Sequence, residues 1–176
     1  MIKKILWVVG VLVILFAGFV VFTIATTKKH SPAESISYEG AVGEFTVDYC
    51  RPYKKGREIF GVLLPYDTYW RTGANGPTLI TIPAEVVFGG RRVEAGKYRL
   101  YTIPSEKEWT VVLNSEIEEW GYFEPDYTLD IAKVIVPVIK TGACTEQFLI
   151  AFNESSKGVN LSLSWDMVKV SIPIEF

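Results

Sequence analysis

The sequence predicts an all-β domain, an antiparallel β-sandwich of jelly-roll-like kind, preceded by one N-terminal transmembrane helix. Three observations carry this reading: a long apolar run at the start, a succession of short segments in which apolar and polar residues alternate, and turn-forming Gly, Pro and Asn between those segments. With 176 residues the chain holds one domain of ordinary size and a short extra segment, not two full cores. Hydrophobic residues make up 49% and charged residues 22%, which excludes intrinsic disorder, collagen-like repeats and coiled coil. The organisation that follows is an anchor over residues 1–27, a short linker over 28–35 and an outer β-sandwich domain over 36–176.

The anchor is Ile5 to Ala25, interrupted by one clearly polar residue, Thr23. At the helical rise this run spans roughly 32 Å, matching a hydrocarbon core of about 30 Å. Lys3 and Lys4 precede it, and Lys28, Lys29 and His30 follow it, so both ends carry groups suited to head groups. A cleaved signal peptide is the competing reading. Its apolar stretch is shorter and ends in a small-x-small site, whereas this one ends Ile24-Ala25-Thr26-Thr27. No lipobox-type cysteine follows it, since the cysteines are Cys50 and Cys144. The positive-inside bias is slight, and the short N-terminal tail is assigned to the cytoplasm, which places the domain outside it.

Beyond a polar linker containing Pro32, period-two alternation marks strands at Phe45–Tyr49, Trp109–Leu113, Phe148–Phe152, Leu161–Trp165 and Val168–Ile174. The last two are expected to form a hairpin around Asp166-Met167. Further strands are expected near Ser35–Tyr38, Leu79–Ile82, Lys97–Ile103 and Ile131–Ile139, about nine in all, with a turn at Glu116–Trp120. Pro137 and Pro173 fall inside strand-like runs, so those runs belong at sheet edges or bulges. Cys50 and Cys144 either pair across a long loop or remain two free thiols; their spacing does not decide between these.

Charge is polarised along the outer domain. Residues 51–107 hold ten cations against five carboxylates, and residues 108–176 hold four against eleven. From Ser31 onward the carboxylates outnumber the cations by six, which argues against general nucleic-acid binding. The candidate ligand-binding residues are Arg51, Arg57, Trp70, Arg71 and Asn75, because guanidinium forks beside aromatic faces suit planar anions. The alternative is a structural ion-pair network with Glu58, Asp67 and Asp130 as the partners.

The stretches Tyr49-Cys50-Arg51-Pro52, Lys55-Gly56-Arg57-Glu58-Ile59-Phe60-Gly61, Trp70-Arg71-Thr72-Gly73-Ala74-Asn75, Ala95-Gly96-Lys97-Tyr98, Tyr101-Thr102-Ile103-Pro104 and Trp109-Thr110-Val111 resemble the bacterial family catalogued as domain of unknown function 2911. The resemblance covers roughly Ile36 to Phe152. It implies an exported protein and hence, with the anchor, a single-pass protein of the bacterial inner membrane whose C-terminal domain is periplasmic. It supplies no activity. The chain departs from the family pattern at Cys50, where Ser is usual, at Gly76-Pro77, where Glu-Ala is usual, and at Lys133, where Arg is usual.

His30 is the one histidine and stands at the membrane edge, so His-based triads and His-containing metal sites are excluded from the outer domain. There is no Walker A loop, no strand-linked G-x-G-x-x-G and no calcium-loop pattern, and no cofactor is expected. A carboxylate pair within Glu116, Glu118, Glu119, Glu124 and Asp126, beside Trp120, is the one hydrolase reading left, and consecutive acids in a turn are more often a solvated surface. The leading expectation is an accessory or scaffold subunit of an envelope complex without catalytic activity. The alternative is a binding module for an anionic or sugar-like ligand through the arginine-aromatic residues.

Overall fold

The computed structural model describes residues 2–118 and 121–176, and within the N-terminal helix the side chains of Lys4, Trp7, 9–20, Thr23 and His30. That helix, α1, runs Ile2–His30. It therefore continues through positions at which the linker is expected, leaving Ser31 and Pro32 before the first strand. Pro32 ends it, because its ring disfavours helical geometry at the residue before it. Leu12, Val13, Ile14, Leu15, Phe16 and Phe19 of α1 are all exposed. Among the described residues no helix is long and apolar enough to cross a membrane. The expected span 5–25 includes positions 5, 6, 8, 21, 22, 24 and 25, whose side chains lie outside the described residues.

The rest is all-β, as two antiparallel sheets. One holds β1 (Ala33–Gly40), β2 (Gly43–Cys50), β3 (Thr78–Ile82), β6 (Gly96–Pro104), β7 (Glu108–Asn114) and β8 (Asp130–Pro137), in that order. The other has the order β5 (Arg91–Val93), β4 (Val86–Phe88), β10 (Gly158–Glu175), β9 (Ile139–Ser155). Strands consecutive in sequence mostly pair with each other, so the connections are meanders, with the β4–β5 hairpin inserted between β3 and β6. The alternation read from the sequence is the cause: Phe45, Val47 and Tyr49 of β2 and Phe148 and Ile150 of β9 are buried in the same core as Leu161, Leu163 and Trp165 of β10.

The expected hairpin at Asp166-Met167 is not a hairpin. β10 runs through it as one strand, with register shifts on either side of Asp166 in its pairing with β9. Odd positions 159–165 are buried before it and even positions 168–174 after it, while Met167 is exposed. A bulge inserts one residue and reverses the parity of the pleat, which in a sequence looks the same as a two-residue turn. Asp166 has φ 55, a left-handed conformation that Asp tolerates better than most residues. The true hairpin lies between Ser155 and Gly158, where β9 meets β10.

Both prolines obey their constraint. Pro137 closes β8, an edge strand, and Pro173 lies beyond the last β9 pairing of β10, Lys169 with Ile139. Cys50 and Cys144 are free thiols, the first half-buried and the second exposed. Glu119 and Trp120, part of the expected turn and of the acidic cluster, lie outside the described residues; the short helical turn in this region is Tyr127–Leu129.

The aromatic centre of the core is Trp165, which stacks on Trp70 at 5.8 Å between centroids and meets Phe60 edge-on at 6.4 Å. Trp165→Ala is expected to lower the unfolding free energy by about 3–5 kcal/mol, since a fully buried indole leaves a cavity that its rigid ring neighbours cannot fill. Urea denaturation followed by circular dichroism checks this, and a loss below about 1 kcal/mol, typical of a surface substitution, would contradict it.

Candidate functional site

Residues 51–77 join β2 to β3 without a strand of their own. They are fixed by single bridges, Tyr53 to Gln147 of β9 and Trp70 to Thr102 of β6, and by burial of Ile59, Phe60 and Trp70 in the core. The loop is thus held at both sheets. Its tight points need residues that accept unusual backbone: Gly73 has φ 151, and a Cβ there would lie 2.9 Å from the Cys50 carbonyl oxygen.

The loop encloses a cleft of about 540 Å³. Lys55, Arg57, Arg71 and His30 line it, with Tyr53, Trp70 and Trp165 as aromatic walls, and no carboxylate is among its lining residues. Lys55 Nζ lies 2.7 Å from His30 Nδ1, which brings the end of α1 to the cleft rim. Arg57 donates from Nε to the Lys54 carbonyl at 2.9 Å and from Nη2 to the Tyr53 carbonyl. Arg71 donates from Nη1 to the Asn75 carbonyl at 3.0 Å and sits over the Tyr122 ring, 5.6 Å from its centroid. Both guanidinium groups are oriented by backbone carbonyls and a ring face, which position them without neutralising their charge.

Of the five candidates, the cleft gathers Arg57, Trp70 and Arg71. Arg51 is turned away: it pairs with Glu34 at 2.8 Å and donates from Nε to the Phe148 carbonyl at 2.9 Å, tying β1 to β9. Asn75 acts behind the cleft, donating from Nδ2 to the Ser31 carbonyl at 3.2 Å. The expected partners Glu58, Asp67 and Asp130 form no salt bridge with any of these arginines among the described residues. Lys54 does have a carboxylate partner, Asp166 at 2.5 Å, whose hydrogen bond holds the ammonium above its ordinary range.

Lys55, Tyr53 and His30 were not among the candidates. Lys55 and Tyr53 stand in the same cationic, aromatic run as Arg51 and Arg57, a signal open to a sequence reader; His30 enters through tertiary contact alone. Of the acidic residues of the hydrolase reading, Glu119 lies outside the described residues, and Glu116 accepts from the Asp126 amide at 2.8 Å. Asp126 accepts from Thr128 and caps the Tyr127–Leu129 turn, and Glu124 accepts from the Tyr127 hydroxyl at 2.7 Å. Among the described residues no group of three or more His, Cys, Asp or Glu is placed to hold a metal ion.

A second polar cluster ties the first strand to the core behind Arg51. The Tyr49 hydroxyl donates to Glu34 Oε2 at 3.0 Å and accepts from the Ile150 amide at 3.0 Å. Burial, with the Glu34 hydrogen bond adding, pushes this phenol from 10.0 up to about 12. Because the folded state holds the proton more tightly than the unfolded chain, the contribution to stability is complete below about pH 10 and is lost as pH rises towards 12. The urea midpoint is therefore expected to fall across that window. Tyr49→Phe is expected to flatten part of the fall and, at neutral pH, to cost about 1–3 kcal/mol through the unpaired Ile150 amide. An alkaline slope identical in the two proteins would sink this assignment.

A family model described as Protein of unknown function (DUF2911) matches residues 31–174. No curated protein and no solved structure matches the chain.

Proposed function

The chain belongs to the DUF2911 family, and from that premise we propose that it is a membrane-tethered, extracytoplasmic binding module that takes an anionic group in the cleft of residues 51–77. One observation carries the reading: Lys55, Arg57, Arg71 and His30 converge on a cavity whose lining contains no carboxylate. Lys55, Arg57 and Arg71 are three cations gathered where no carboxylate lines the cleft; they repel one another, and an anion entering between them relieves that repulsion while forming charge-assisted hydrogen bonds. Tyr53, Trp70 and Trp165 add flat apolar surface, which suits a sugar ring or another planar body carrying the anion. The role is binding without catalysis.

Tethering is supported by the apolar run Ile5–Ala25 inside the 29-residue helix α1 and by the exposure of its large apolar side chains, which in water would be a heavy hydrophobic cost. On this reading α1 lies in the bacterial inner membrane and the β-sandwich in the periplasm. His30 then stands where the helix leaves the bilayer, so the cleft opens close to the membrane surface.

An accessory role in an envelope complex is favoured by a different observation. Ile131 and Ile135, on the outer face of edge strand β8, and Ile139 just beyond it are all exposed, at 47%, 61% and 48%. Exposed isoleucines on this face, with Lys133 between Ile131 and Ile135, offer a partner chain an apolar surface carrying one cation.

Titration calorimetry of the full-length protein in detergent against phosphate, a uronic acid and the matching neutral sugar separates these readings. Binding of the anions is expected, weakening as salt rises, with Arg71→Ala costing about tenfold or more in affinity, as loss of a charge-assisted hydrogen bond does. Absence of any anion response overturns the binding reading. Carbonate extraction of native membranes tests the tether: the whole chain is expected in the pellet, and a chain lacking residues 2–28 in the supernatant. Stoichiometric co-purification of a second protein, abolished by Ile135→Asp, supports the accessory role.

A further inference from the structure

β6 presents Tyr98 and Leu100 to the core between the sheets and Arg99 and Tyr101 to the opposite face. That face is covered. Tyr69 from the long loop and Phe123 from the segment after β7 close over Arg99, which is 0% exposed. Gly121 makes the closure possible, since a Cβ there would lie 2.6 Å from the Gly76 backbone carbon and the Pro77 nitrogen. Arg99 donates from Nη2 to the Tyr69 hydroxyl oxygen and to the Phe123 carbonyl, and the Tyr69 ring lies 5.6 Å from its guanidinium carbon. Its Nε and Nη1 are buried and have no partner among the described residues.

Among the described residues no salt bridge includes Arg99. Asp130 makes no ion pair with Arg99 among the described residues; it accepts instead from the Tyr101 hydroxyl at 2.9 Å and from Asn114 Nδ2 at 2.8 Å. The tyrosines do not supply the counter-charge either. Burial raises the Tyr69 phenol even against the opposing pull of Arg99, and burial with the Asp130 hydrogen bond raises Tyr101, so both stay neutral at physiological pH. A guanidinium does not shed its proton in proteins, and an isolated charge taken out of water costs several kcal/mol unless it is both paired and hydrogen-bonded. Water at Nε and Nη1 would satisfy the hydrogen bonds and leave the charge. An oxyanion satisfies both.

We propose that Arg99 is the heart of a second binding site, distinct from the cleft, which takes a small oxyanion group, a carboxylate or a phosphate, at a guanidinium donor left open beneath Tyr69 and the Phe123 carbonyl. Nε–H and Nη1 point to opposite sides of the guanidinium, so the oxyanion bonds one of these open donors and lies against the charge that the whole group shares.

The test is thermal unfolding of the full-length protein in detergent, with acetate, phosphate or chloride added to a buffer otherwise free of small anions, alongside Arg99→Met and Arg71→Ala. Acetate or phosphate is expected to raise the Tm of the unmodified protein saturably, and the arm that responds at lower concentration identifies the source class. Arg71→Ala, which disables the cleft, is expected to keep this response, so failure of the cleft reading and of this one are distinguishable. Arg99→Met, introduced into the Arg71→Ala protein so that the cleft adds no response of its own, is expected to lose the response and, without anions, to be at least as stable as that protein, an order that saturating oxyanion reverses. Should Arg99→Met not fold, the Arg99 Nε–H resonance of the parent decides by shifting on titration. A Tm and an Nε–H resonance unchanged by acetate and phosphate, meaning that water alone fills the site, overturn the proposal. A chloride response as strong as theirs overturns it too.

Discussion

The stack of Trp70 on Trp165 is the contact on which the remaining architecture depends. Trp165 belongs to β10, the longest strand, and Trp70 to a long loop with no strand of its own, so this pair, with the Tyr53–Gln147 bridge, fixes an otherwise irregular segment to the four-stranded sheet. The same loop reaches the other sheet through the Trp70–Thr102 bridge. A loop of that length loses much conformational entropy when it is ordered, and the offset comes from burying Ile59, Phe60 and Trp70 in the shared core. The Trp70 indole also donates to the Gly73 carbonyl at 3.1 Å, which closes the turn that presents Arg71. Core packing and cleft geometry are thus one problem with one solution.

Charge is handled in two ways within the cationic stretch 51–107. Where a cation serves the fold, it is given a carboxylate: Arg51 has Glu34, Lys54 has Asp166 and Arg92 has Glu85. Where arginines face the cleft, their contacts are backbone carbonyls and a tyrosine ring. A carbonyl orients a guanidinium almost as well as a carboxylate does but leaves nearly all of its field available to a ligand. The distinction between structural and binding arginines is therefore drawn by the chemistry of the acceptor, not by burial.

Much of the fold was legible in the residues because period-two alternation survives wherever one face of a strand is buried, as along β2, β7, β8 and the second half of β10. It misled at Asp166, where a bulge and a turn leave the same trace in a sequence. The cleft was half legible: Arg57, Trp70 and Arg71 declare themselves by type and proximity, but whether an arginine points inward or pairs with Glu34 is settled by β1, which is remote from the loop's turns. Arg99 was missed altogether. A sign was present in Tyr98-Arg99-Leu100-Tyr101, where bulky residues at every position imply that both faces of the strand are covered, but the covering segment lies after β7 and alternation alone does not reveal it.

Tyr69, Trp70 and Arg71 show how one extended tripeptide serves three demands. In an extended chain the middle residue points opposite to its neighbours. Trp70 enters the core; Tyr69 and Arg71 emerge on the other side and meet adjacent residues of one segment, with the Tyr69 hydroxyl donating to the Gly121 carbonyl at 3.0 Å and Arg71 lying over Tyr122. Arg99 rests on the next residue through the Phe123 carbonyl. Gly121, Tyr122 and Phe123 are therefore a common support for two cations of different surroundings, one at an open cleft and one fully enclosed. A shift of that support by even an ångström changes the hydrogen-bond geometry at Arg99 and the ring contact at Arg71 together. The absence of space for a side chain at Gly121 is what holds it in place.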